Sequence, residues 1–71
     1  MAVYAQRLVL PAMRAQMDVE EVREVLYNEP WCEDVECDLE KHCAIVFYVD
    51  PKAIDDIYRV LDSAGFPAHR A

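Results

Sequence analysis

The chain has 71 residues and a mass of 8.2 kDa, which limits it to one small domain. Its 14 acidic and 7 basic residues give a formal net charge of −7, so a general attraction to nucleic acid or to an anionic membrane is excluded. A hydrophobic content of 55% with a single glycine excludes a disordered or collagenous chain. We therefore predict one folded domain over residues 1–71, with neither nucleic acid nor membrane as a partner.

The apolar runs and the cysteines indicate where the protein works. The longest apolar run, residues 44–49, has six residues, whereas a membrane helix needs about 20. The N-terminal residues show no basic stretch followed by a long apolar one, so no secretory signal is expected. Three cysteines are an odd number, which argues against a closed disulfide framework. We expect a soluble, reduced, cytoplasmic protein.

The first predicted element is a half-buried strand over residues 3–10. Its apolar residues Tyr4, Leu8 and Leu10 share one parity. Pro11 ends the strand because proline cannot donate to a ladder. A loop over residues 11–17 follows.

A helix is predicted to begin at Asp18, which can cap its first N–H groups. Its apolar residues recur at helical spacing, at Val19, Val22, Val25 and Leu26. Asn28 and Pro30 end it.

Two strands are predicted next. In the first, the apolar residues Val35, Cys37 and Leu39 alternate with acidic residues. Lys41 and His42 are predicted as the hairpin turn. Residues 43–49 are apolar at both parities, which predicts a central strand.

The second helix has a strong start at Asp50-Pro51, with Asp as N-cap and Pro at the first helical position. Gly65, the only glycine, stands where a left-handed C-terminal cap belongs. A short last strand is predicted over residues 66–69.

The predicted order is β-α-β-β-α-β. This order is typical of an α+β, ferredoxin-like sandwich, with an antiparallel four-stranded sheet and two helices on one face. Right-handed crossovers give the strand order 4-1-3-2, with the acidic second strand at an edge. The same topology gathers three loops, residues 11–18, 40–43 and 65–67, at one end of the sheet. Cys32 and Cys37 lie on the order of 15 Å apart along an extended segment, so they cannot bind one metal ion together.

The chain is similar to the heavy-metal-associated (HMA) domain found in copper chaperones and metal-transporting ATPases. The resemblance runs from about residue 8 to residue 68. It rests on residues 8–13 as the first strand leading to a methionine, residues 35–40 as the second strand, and residues 57–66 ending in Ala-Gly-Phe.

The resemblance implies metal binding by a Met-x-Cys-x-x-Cys segment in the first loop. Here that segment begins at Met13, and the two cysteine positions are Ala15 and Asp18. Transfer of Cu(I) requires two soft thiolates in an exposed loop. Chaperone activity is therefore not expected from this loop.

A relocated metal site is one alternative. It would combine Cys43, His42 and Met17 or Asp18, with Met13 nearby, and would suit Cu(I) or Zn(II). Against it, Met13 can be a core methionine and Cys43 a buried strand residue. Neighbouring residues of a strand also point to opposite faces, which makes joint ligation by His42 and Cys43 harder.

An interaction surface is the other alternative. The partner-binding candidates are the acidic residues of the second strand and the tryptophan before it, Trp31, Glu33, Asp34, Glu36, Asp38 and Glu40. The carboxylates can block edge-to-edge aggregation, steer a basic partner, or hold a hard cation. Trp31 either covers the core or anchors a partner. An edge strand can also pair in a homodimer.

No catalytic motif occurs in the sequence, so we do not expect an enzyme. Cys37 is expected to face the core, and acidic neighbours are expected to make Cys32 a poor nucleophile. The preferred function is a non-catalytic interaction or regulatory module with a basic protein partner. The alternative is a Cu or Zn protein with a relocated site.

Overall fold

The computed structural model describes residues 2–71; Met1, the first residue of the predicted domain, lies outside the described residues. The elements in chain order are β1 (Tyr4–Val9), α1 (Gln16–Tyr27), β2 (Cys32–Asp38), β3 (Cys43–Tyr48), a short 3₁₀ turn (Pro51–Ala53), α2 (Ile54–Ser63) and β4 (His69–Arg70). The strands form one antiparallel sheet in the order β2-β3-β1-β4. The ferredoxin-like fold and the order 4-1-3-2 are confirmed, with β2 at an edge.

One hydrophobic core joins the sheet to both helices. The buried strand residues share one face of the sheet, at Leu8, Val35, Ala44 and Val46. The helices contribute Val22, Leu26, Ile57 and Leu61, all at 0% exposure. Full burial of each such side chain stabilises the fold by about 1.5–3 kcal/mol. The helical periodicity and the strand alternation therefore converge on the same apolar layer.

Helix α1 begins two residues earlier than predicted, and Asp18 does not cap it as expected. The N-cap is Ala15, which has extended backbone angles. Asp18 lies in the first turn, and its carboxylate accepts hydrogen bonds from the N–H groups of Arg14 and Ala15, at 2.9 and 3.0 Å. The carboxylate thus reaches back toward the helix start and satisfies donors that precede the helix.

Both ends of the second helical segment are as predicted. The Asp50 side chain accepts from the Lys52 N–H and starts the 3₁₀ turn that leads into α2. At the other end Gly65 has φ of +89°, while the N–H of Phe66 donates to the Leu61 carbonyl. This is a Schellman ending, and it directs Phe66 into the core.

The β2–β3 hairpin and the last strand differ from prediction in length. The turn spans residues 39–42, so Leu39 belongs to the turn and not to the strand. His42 takes a left-handed conformation with φ of +54°, and its N–H donates to the Leu39 carbonyl. The last strand is His69–Arg70 and not residues 66–69, because the chain first completes the helix ending before it can pair with β1.

Candidate functional site

The acidic residues of β2 lie on the face of the sheet that the helices leave uncovered, which we call the open face. The β2–β3 register pairs Asp34 with Phe47, Glu36 with Ile45 and Asp38 with Cys43. The three carboxylates are exposed and the three β3 residues are half-buried. Residues of β1 complete the face in the same register, at Ala5, Arg7 and Val9.

The open face therefore carries a row of carboxylates beside an apolar row. The open face includes an open hollow of about 210 Å³, lined by Arg7, Glu36, Asp38, Lys41, Cys43 and Ile45 among others. The remaining two predicted acidic residues lie beside this row: Glu33 at a β-bulge and Glu40 in the turn, both exposed. Both signs of charge border the hollow, with the carboxylates on the β2 side.

The free edge of β2 is occupied by side chains of α1. Arg23 Nη1 donates to the Val35 carbonyl at 2.9 Å, and the Val35 N–H donates to the Tyr27 hydroxyl at 3.1 Å. The guanidinium also lies over the Tyr27 ring, 5.4 Å from its centroid. Val35 is thus satisfied at a position where an edge strand would pair with another chain. Sequence reasoning missed Arg23 and Tyr27, whose only signal was their i,i+4 spacing beside the apolar stripe of α1.

Asp34 and Tyr27 form the polar centre of this arrangement. The Tyr27 hydroxyl donates to the Asp34 carboxylate, which also accepts from the Val35 N–H at 2.8 Å. The Tyr27 hydrogen bond, followed by the backbone one, lowers the pKa of Asp34. The same hydrogen bond to Asp34 is the main reason that the pKa of Tyr27 is raised. At pH 7 the Asp34 carboxyl group is therefore ionised and the Tyr27 hydroxyl is neutral.

The loop between β1 and α1 and the first turn of the helix, residues 10–18, contain no cysteine, so this segment does not fit two-thiolate binding. The Asp18 carboxylate in this segment already accepts hydrogen bonds from two N–H groups. Met13 is 0% exposed, so it is a core methionine, and its thioether is not presented to a metal ion at the surface. Met17 lies in the first turn of α1 and is 79% exposed.

His42 contacts this loop through its ring. Its Nδ1 lies 2.7 Å from the Met13 carbonyl oxygen, and the Leu10 N–H donates to the His42 carbonyl at 2.6 Å. A carbonyl oxygen only accepts, so Nδ1 carries the hydrogen and the Nε2 lone pair of the neutral ring is left out of this bond. A histidine held in this way by a backbone carbonyl resembles an oriented metal ligand.

The Cys43 thiol and the His42 ring make separate contacts. Cys43 lies on the open face, and its thiol donates to the Lys41 carbonyl at 3.1 Å. Within residues 2–71 no group of three or more His, Cys, Asp or Glu side chains lies close enough to hold a metal ion. The carboxylates of β2 therefore do not form a hard-cation cluster.

Two cysteines have thiols that are disfavoured as thiolates. Burial, followed by the charges of Asp34 and Glu33, raises the pKa of Cys32. Burial also raises the pKa of Cys37, which packs against the core as predicted. A raised thiol pKa lowers nucleophilic reactivity at neutral pH. The prediction that Cys32 is a poor nucleophile has this physical basis.

Trp31 belongs to the core. Its side chain is 8% exposed and lies in the buried cluster, and its carbonyl accepts from the Val49 N–H at 3.0 Å. The first alternative for Trp31, a cover for the core, is confirmed. A buried indole is not available as a partner anchor, so the contact surface is assigned without it.

Solved structures of similar fold identify the architecture. Oxidized MerP from Ralstonia metallidurans CH34 has a TM-score of 0.88 at 20% identity, with 97% of each chain covered. The N-terminal domain of PacS from Synechocystis PCC6803 has a TM-score of 0.85 at 16% identity, covering 96% of this chain and 97% of that one. The copper(I)-loaded first domain of the human copper chaperone CCS has a TM-score of 0.82 at 23% identity, covering 99% and 94%. The resemblance to the HMA domain is confirmed at the level of the fold.

Comparisons by sequence add no relative. No protein-family model matches the chain, and no curated protein matches it. Neither helix of residues 2–71 has the length and apolar character needed to cross a membrane.

Proposed function

We propose that the protein is a non-catalytic interaction or regulatory module that receives a basic protein partner on its open face. The observation that carries the proposal is the β2–β3 register, which aligns Asp34, Glu36 and Asp38 on one exposed side of the sheet. Carboxylates in a row raise the local attraction for cations and speed encounter with a positive surface. The protein is proposed to act in the cytoplasm, a reducing compartment, because all three cysteines are free.

Reversing one charge tests the proposal. Glu36 is the carboxylate of choice, because Asp34 and Asp38 also accept backbone hydrogen bonds. Immobilised wild-type chain is used to capture partners, and the purified partner is then titrated against wild type, Glu36→Lys and Glu24→Lys. Glu24 is an exposed residue of α1 and supplies the same charge change on the helical side. We expect Glu36→Lys to weaken binding at least about tenfold, and Glu24→Lys less than about twofold.

The salt dependence of partner binding is a second test of the proposal. In about 1 M salt the screening length falls to about 3 Å, so binding through exposed carboxylates should weaken strongly. Thermal melts of both variants verify that they remain folded. A partner whose affinity is the same for wild type and Glu36→Lys would contradict the proposal.

Metal binding at a relocated site is the second candidate, favoured by the His42 ring bond to Met13. The Nε2 of His42 would be one ligand, and an imidazole suits Cu or Zn. Proteins of the same fold include a copper(I)-loaded chaperone domain. The burial of Met13 and the hydrogen bond from the Cys43 thiol to the Lys41 carbonyl count against these two residues as ligands.

Competition with a chelator tests the metal candidate. The fully reduced protein is titrated with Cu(I) and Zn(II), alongside Cys43→Ser and His42→Asn. Asparagine is chosen because it tolerates the left-handed backbone of position 42. If the site exists, binding is stoichiometric and falls at least about tenfold in these variants but not in the control His69→Asn. Absence of competitive binding would exclude the site.

A further inference from the structure

We propose that the partner docks on the open face as an amphipathic helix with a basic side, and not as an added strand. This inference rests on the proposed function and specifies the partner's form. Two observations carry it: the occupied edge of β2, and the apolar row of β3 beside the carboxylates. The first observation concerns binding as an added strand, and the second concerns binding on the surface of the open face.

Strand addition at β2 meets an obstacle. A strand that joins a sheet pairs with the outward N–H and C=O groups of the edge strand. At Val35 both groups already bond to α1 side chains, the carbonyl to Arg23 and the N–H to Tyr27. An added strand would have to displace both bonds at the middle of the edge. Glu36 and Asp38 remain exposed on the open face.

A segment lying on the open face must satisfy its own backbone. The surface beside the carboxylates is made of the side chains of Cys43, Ile45 and Phe47, which offer few hydrogen-bond partners. A lone extended segment placed there would leave backbone N–H and C=O groups without partners. A helix bonds its backbone internally and presents only side chains. Helices also cover the opposite face of this sheet, at Val35, Val46 and Leu8.

The spacing of the charges matches a helix. Asp34, Glu36 and Asp38 are two residues apart, or about 6.7 Å along a strand. Basic side chains at i and i+4 of a helix are about 6.0 Å apart along its axis. Apolar side chains on the neighbouring stripe of that helix would then meet Ile45 and Phe47, both half-buried. Charge and apolar complementarity therefore both suit a cationic amphipathic segment, and the need for an internally bonded backbone selects its helical form.

Three synthetic peptides of about 14 residues and identical Lys/Leu composition test this inference. One has helical periodicity, one alternates Lys and Leu as an amphipathic strand would, and one is scrambled. Each is titrated into wild type, Glu36→Lys, Glu24→Lys and Ile45→Thr, with amide chemical shifts recorded by NMR. Ile45→Thr keeps a β-branched strand residue while removing apolar surface.

We expect the helical peptide to bind wild type at least about tenfold more tightly than the other two. Its chemical shift changes should lie on the open face. Glu36→Lys should weaken it at least about tenfold and Ile45→Thr at least about threefold, with Glu24→Lys near wild type.

The outcomes separate the two proposals. If the alternating or scrambled peptide binds as tightly, and Glu36→Lys weakens all three, the acidic face still receives basic partners but the helical form is wrong. The same holds if shifts concentrate at the Val35 edge. If no peptide distinguishes wild type from Glu36→Lys, both the helical form and the proposed function are contradicted.

Discussion

Gly65 is the residue whose backbone conformation the fold most plainly requires. It follows the last turn of α2 with φ of +89°, and a Cβ placed there meets no atom within 4 Å. The demand is therefore conformational and not steric: other L-residues disfavour this region by roughly 1–2 kcal/mol. The Phe66 side chain depends on the turn, since it enters the core one residue later.

Substitutions of Gly65 should measure how much this left-handed conformation costs other residues. We expect Gly65→Ala to lower the free energy of unfolding by about 1–2 kcal/mol, because alanine must adopt the left-handed region. Gly65→Asn should lose less, since asparagine tolerates that conformation. Urea unfolding of the two variants beside wild type gives the comparison. Equal stability of all three would show that the helix can end in another way.

His42 is the second residue with a left-handed backbone, and it joins two loops. Its φ of +54° closes the β2–β3 turn while its ring reaches the Met13 carbonyl. The ring bond connects residues 29 positions apart in the chain. His42 therefore has a structural role whether or not its Nε2 binds a metal ion.

At the scale of elements, the contact between α1 and β2 decides how the acidic strand can be used. Arg23 and Tyr27 stand one helical turn apart and bond the two polar groups of Val35. Asp34 links the helix to the strand, since its carboxylate accepts hydrogen bonds from the Tyr27 hydroxyl and the Val35 N–H. The helix thus occupies the edge of β2 at Val35 and holds one of the carboxylates of the open face in a hydrogen bond.

This contact should make stability depend on pH in a defined direction. Because the pKa of Asp34 is lowered in the folded state, its contribution to the free energy of unfolding is complete above the ordinary pKa of 3.8. That contribution is lost as the pH falls through the folded-state pKa. Because the pKa of Tyr27 is raised in the folded state, its contribution to the free energy of unfolding is complete below the ordinary pKa of 10.0. That contribution is lost as the pH rises through the folded-state pKa. Tyr27→Phe should weaken the pH dependence of stability at both the acid and the alkaline end, because it removes the hydrogen bond between Tyr27 and Asp34.

Urea midpoints recorded in steps from about pH 2.5 to 6 test the acid side. The control is Tyr4→Phe, which removes a hydroxyl from a ring that stacks on Tyr48 at 5.6 Å. An unchanged acid dependence in Tyr27→Phe would show that other carboxylates dominate.

At the scale of the whole molecule, the sheet separates two environments. One face packs on α1 and α2 and holds the buried residues, while the other bears the carboxylates and Arg7. The chain has a net charge of −7, and the three aligned carboxylates concentrate part of it on the open face. A single charge reversal at Glu36 should relieve repulsion within that row, so we expect thermal melts to show that this variant stays folded.

The loop between β1 and α1 shows why a shared fold does not by itself establish a shared chemistry. The protein has the architecture of HMA domains, with TM-scores of 0.82 and above to the structures compared. Residues 10–18, which lead from β1 into α1, contain no cysteine, so a two-thiolate site cannot form within that segment. Fold and function are therefore separate conclusions for this chain.

The sequence by itself determined what short-range periodicity can encode. The alternation from Val35 to Asp38 was enough to predict which side chains face the core, and Asp50-Pro51 and Gly65 predicted both ends of the second helical segment. The strand order followed from the element order and the handedness of crossovers. Each of these depends on neighbours a few residues away or on a general rule of topology.

Only the tertiary structure decided which distant groups meet. The bond from Arg23 to the Val35 carbonyl spans 12 positions and that from His42 to Met13 spans 29, and no local pattern records either one. The burial of Trp31, left open by the sequence, likewise depended on how the core closes over it. The physical reason is that hydrogen-bond partners are chosen by packing: side chains bond whatever polar group the folded backbone brings within about 3 Å.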